Sequence, residues 1–60
     1  MLKLATAGTE NDLRGLVAEF YFTQPDRITL ANGEIWKNGA KMATNYAKKG
    51  ARWVFYKKGV

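Results

Sequence analysis

The sixty residues contain no cysteine, no histidine and no serine, and only one proline, Pro25. Without cysteine there is no disulfide and no thiolate metal site. Without cysteine or histidine the usual zinc ligands, the thiolate nucleophile and the commonest general base are missing together. Without serine there is no serine nucleophile. Long apolar runs are absent too, so no segment approaches the roughly 18 residues of a membrane span. Met1–Gly8 is interrupted by Lys3 and too short for the apolar core of a signal peptide, and reads as a strand or an extended arm. The expectation is one cytoplasmic domain over residues 1–60, with no enzymatic activity, no cofactor, no metal site and no membrane contact.

Acidic residues are scarce in a particular place. All five (Glu10, Asp12, Glu19, Asp26 and Glu34) fall within residues 1–34, where Lys3, Arg14 and Arg27 are the only cations, for a net −2. Residues 35–60 carry Lys37, Lys41, Lys48, Lys49, Arg52, Lys57 and Lys58 with no acid, a net +7. Such asymmetry points to a basic surface that meets a polyanion or an acidic protein.

What is present is hydrophobic pattern and turn chemistry. Thr9-Glu10-Asn11-Asp12 has the form of a capping box, with Asp in place of Glu or Gln. Leu13, Leu16, Val17 and Phe20 follow at helical spacing, and Pro25 disfavours helical angles at Gln24, so a helix is expected over about 9–22 with that stripe in the core. Gly15 weakens it by about 1 kcal/mol relative to alanine and suggests close approach to a sheet. Two Asn-Gly pairs then mark tight hairpins. Asn32-Gly33 pairs Leu30 with Ile35 and Thr29 with Trp36. Asn38-Gly39 pairs Ile35 with Met42 and Trp36 with Lys41. A turn at Lys49-Gly50 pairs Tyr46 with Trp53 and Thr44 with Phe55.

These registers sort the strands consistently. One face collects Ile28, Leu30, Ile35, Met42, Thr44, Tyr46, Trp53 and Phe55, ready to receive the helix. The other collects Thr29, Trp36, Lys41, Ala43, Asn45, Arg52, Val54 and Tyr56. The expected fold is α+β, one amphipathic helix on a three- to four-stranded antiparallel meander. A rival reading makes residues 39–49 a second helix, capped by Asn38 and closed by Gly50, in a compressed β-α-β-β-α-β ferredoxin-like order.

Trp36 is the residue of most interest. Aromatic rings among cations on an open sheet face stack bases and neutralise phosphates. The expected binding residues are Trp36, Lys41, Lys48, Lys49, Arg52, Tyr56, Lys57 and Lys58, with Trp36 exposed next to Lys41 and Arg52. The function they suggest is non-enzymatic binding of nucleic acid, DNA or RNA. The alternative is a small protein-binding module, of the kind phage use to inhibit a host nucleic-acid-handling complex, docking on an acidic protein surface.

Overall fold

The computed structural model describes residues 1–59. Strand β1 (Leu2–Ala7) leads into helix α1 (Glu10–Phe20), and a single 3-10 turn (Pro25–Arg27) leads on to β2 (Ile28–Ala31), β3 (Glu34–Lys37), β4 (Ala40–Lys49) and β5 (Arg52–Lys57). The strands form one sheet in the order β1-β5-β4-β3-β2, with every neighbouring pair antiparallel. The fold is α+β with five strands rather than three or four. The additional strand is β1, which pairs along β5. The ferredoxin-like alternative fails at residues 40–49, which form the longest strand instead of a second helix. Strand pairing on both sides satisfies that backbone, and alternation from Met42 through Thr44 to Tyr46 puts the larger side chains on the helix side.

Each turn follows from its residues. Asn32 and Gly33 have φ of 51° and 79°, and Asn38 and Gly39 have 52° and 79°, the paired positive angles of a type I′ turn. The expected pairs Leu30–Ile35, Thr29–Trp36 and Trp36–Lys41 all form. Ile35–Met42 does not form as a simple pair. Between Glu34↔Asn45 and Trp36↔Lys41 the register shifts, so Ile35 stands opposite a three-residue bulge. The Gly33 carbonyl anchors it by accepting from both the Tyr46 amide and the Asn45 Nδ2, each at 3.1 Å. The last hairpin turns at Gly50-Ala51, not Lys49-Gly50. Gly50 at φ 61° occupies the first central position, as a type II′ turn requires. Tyr46 therefore pairs with Phe55, and Thr44 with Lys57. The slip is two residues, and a two-residue slip leaves every side chain on its expected face.

Helix α1 begins where the Thr9 hydroxyl accepts from the Asp12 amide at 3.0 Å. It crosses the sheet between the two edge strands and packs on β1, β5 and β2. Its buried residues are Leu13, Val17 and Ala18. Leu13, Val17, Ile35 and Phe55 are all fully buried in one cluster with Ala7, Ile28 and Tyr46, each worth about 1.5–3 kcal/mol. Tyr21 completes the seam, its hydroxyl 2.6 Å from that of buried Thr44. The expected stripe was rotated. Leu16 is 37% exposed and Phe20 49%, because the helix turns its 13–17–21 line toward the sheet and leaves these two on its flank. Phe20 still meets the edge of Phe55, with ring centroids 5.2 Å apart. Gly15 makes no close approach either, since a Cβ built there finds nothing within 4 Å.

This packing separates two leucines one helical turn apart. Leu13→Ala should cost about 2–5 kcal/mol, as for a fully buried leucine. Leu16→Ala should cost much less, because the side chain already lies partly in water. Urea denaturation of both variants checks the pair, and equal losses would contradict the helix orientation.

Candidate binding surface

Among the described residues no element covers the face of the sheet away from α1. Cross-strand pairs show what that face presents. One row runs across all five strands as Lys3, Tyr56, Asn45, Glu34 and Ala31. Thr29, Trp36 and Lys41 form a row at one end. Thr6, Val54 and Ala47 form the next row on the other side, and Arg52 with Lys49 closes that end. Trp36 and Tyr56 are half-buried, whereas Lys3, Lys41, Lys49 and Arg52 are exposed.

Among the described residues that face carries a single carboxylate, and it is paired. Lys41 Nζ lies 3.0 Å from Glu34 Oε2. The hydrogen bond and positive charge of Lys41 hold the Glu34 carboxyl below its ordinary range, with a smaller contribution in the same direction from Trp36. The other four acids lie in α1 and in the 3-10 turn. The open face is thus cationic, whereas the helix side mixes these four acids with Arg14, Arg27, Lys37, Lys48 and Lys57.

The eight expected binding residues do not form one patch. Trp36, Lys41, Lys49, Arg52 and Tyr56 share the open face. Lys48 and Lys57 alternate to the helix side, where the Lys48 ammonium sits 5.8 Å from the Trp53 ring centroid. Lys58 follows β5 in a bend. Trp36 is half-buried rather than largely exposed, and it pairs with Lys41 as expected. Arg52 is not its neighbour. The register sets the two about 20 Å apart along the strand direction, six residue steps at about 3.4 Å each. Arg52 instead donates from Nη2 to Thr6 Oγ1 at 3.3 Å.

Two members of the face escaped the sequence reading. Lys3 was grouped with the acidic half, and its place beside Tyr56 depends on β1 pairing with β5. Asn45 belongs to this face without belonging to the expected binding set, and its Nδ2 donates to the Gly33 carbonyl. A shallow apolar hollow of about 390 Å³, lined by Thr29, Ala31, Asn32, Glu34, Trp36 and Gly39, lies at the Trp36 end.

Among the described residues there is no group of three or more acidic side chains that could hold a metal ion, and no helix long and apolar enough to cross a membrane. No family model, curated protein or solved structure matches this chain.

The Glu34–Lys41 pair sets a pH dependence. A lowered carboxyl favours the folded state above its unfolded value, near 4.3, and that contribution is lost as pH falls through the lower folded value. The side-chain carboxyl of Glu34, followed by NMR, should titrate below the range of an unpaired glutamate. In Lys41→Ala its midpoint should move back up toward that range. No movement would mean that the ion pair does not persist in solution.

Proposed function

We propose that the open sheet face binds single-stranded nucleic acid without catalysing a reaction, in a cytoplasmic setting. The observation that carries this reading is the company kept by two aromatic rings. Trp36 and Tyr56 lie on an uncovered face with Lys3, Lys41, Lys49 and Arg52, and the one carboxylate there is already engaged by Lys41. Trp36 and Tyr56 are two strands and two residues apart, or about 12 Å. That leaves room for a base on each ring and a span of backbone between them.

Single strands suit this surface better than a duplex. A stacked base exposes its π-face only when it is unpaired, and the cations bracket the rings where phosphates on either side would run. Asn45, between the rings, offers a carbonyl oxygen that can accept from a base edge. The side-chain inventory supports binding rather than turnover, since histidine, cysteine and serine are all missing.

The test is a fluorescence titration with a 20-nucleotide oligothymidylate and a 20-base-pair duplex at several salt concentrations. With three or four phosphates neutralised, log K against log salt should slope near −2 to −3 for the single strand. Trp36→Ala should weaken binding by about 1–3 kcal/mol, with circular dichroism confirming that the sheet is intact. Glu34→Gln should strengthen binding a few-fold by freeing Lys41. A duplex bound better than the single strand, or a salt-independent affinity, would overturn the reading.

A further inference from the structure

Phe22 occupies a position that folding alone gives no reason to fill with phenylalanine. Helix α1 ends in a Schellman arrangement, with the Thr23 amide donating to the Ala18 carbonyl at 2.9 Å and the Phe22 amide to the Glu19 carbonyl at 3.2 Å. That geometry places Phe22 at φ 56°, the left-handed region where glycine is favoured because it has no Cβ. The side chain gains nothing in return. It is 96% exposed and takes no part in the Phe20–Tyr21–Phe55 ring cluster beside it. A large aromatic side chain held in water by a strained residue is typical of an interface anchor.

A groove begins next to it. It lies between α1, the end of β1 at residues 6–8, and Thr23 with Pro25, with partly exposed Leu16 and flat Gly15 on the helix side and buried Ala18 beneath, a volume of about 630 Å³. Gly15 weakens the helix, yet a Cβ there would meet no other atom within 4 Å, so internal packing does not require the glycine. Asp12 and Glu19 are the charged residues of the lining. They are two turns apart on α1, about 10 Å. No cation balances them within the groove.

We infer that Phe22 and this groove dock a basic, amphipathic segment of a partner protein. Lysine or arginine heads about two helical turns apart would meet Asp12 and Glu19. Their aliphatic stems and an intervening apolar residue would lie on Leu16 and Gly15. Phe22 would lie against an apolar side chain of the same segment. Charge complementarity selects this occupant, since an acidic segment would be repelled by both carboxylates. The inference does not depend on what the opposite face binds.

Two substitutions separate docking from folding. Phe22→Gly removes the anchor and relieves the left-handed strain. Gly15→Ala improves helix propensity and puts a methyl group into the groove. Both should melt at or above the parent temperature. The probe is a 14-residue peptide of lysine, leucine and alanine with its lysines seven residues apart, together with its glutamate counterpart. Titrated into the full chain labelled with nitrogen-15, the lysine peptide should shift the amides of Gly15, Leu16, Glu19 and Phe22, and the glutamate peptide should not. Each variant should weaken lysine-peptide binding at least about tenfold. The inference is overturned if both variants bind like the parent, if the two peptides bind alike, or if the shifts fall elsewhere. It is equally overturned if those four amides shift with protein concentration alone, because a second copy would then be the occupant.

Discussion

An eleven-residue helix is about 16 Å long, and five strands side by side span about 19 Å. One helix of that size can cover one face of such a sheet and no more. In this chain it must also join the two edge strands, because β1 and β2 lie at opposite ends of the order. The core is accordingly a single seam, where Leu13 and Val17 of the helix meet Ile35, Tyr46 and Phe55 of the sheet in one buried cluster. The second sheet face is left to water as a direct result.

The same constraint divides the charge. The helix needs acids near its start, where its dipole favours them, and Glu10 and Asp12 stand in its first turn. Glu19 and Asp26 follow in the same layer. The strands carry Lys3, Lys41, Lys49 and Arg52 on the far side, with Glu34 the only acid among them. A molecule built this way has two chemically distinct surfaces. One is flat, cationic and aromatic. The other is of mixed charge, with an acidic groove and an exposed phenylalanine. The sheet face and the groove therefore present different residues and do not compete for the same partner.

Small irregularities shape both surfaces. The bulge opposite Ile35 brings Asn45 level with Glu34 and Tyr56, completing the row that crosses the sheet. The Schellman ending of α1 turns the chain sharply enough that Phe22 points away from the core while Tyr21 remains in it. Lys37 reinforces that corner, donating to the Tyr21 carbonyl at 3.2 Å with its ammonium 6.0 Å from the Tyr21 ring centroid.

By itself, the sequence determined the helix start at Thr9, the two Asn-Gly hairpins and the sheet faces of β2 to β5. Each of these is local: a hydroxyl reaching an amide three residues on, a pair of residues that accept positive φ, and the strict alternation of a strand. Alternation also explains why a two-residue error in the last hairpin left the faces unchanged. Tertiary structure decided everything that needs a distant partner. Lys3 joined the cationic face only because β1 pairs with β5, fifty residues away in the chain. Arg52 stands apart from Trp36 because the pairings of β4 set them at its opposite ends, Trp36 beside Lys41 and Arg52 beside Lys49. Leu16 and Leu13 fit the same helical spacing, and only the rotation of the packed helix distinguished the buried one from the one beside the groove. Phe22 looked like the last residue of a helix, and its exposure followed from where the chain had to turn to reach β2.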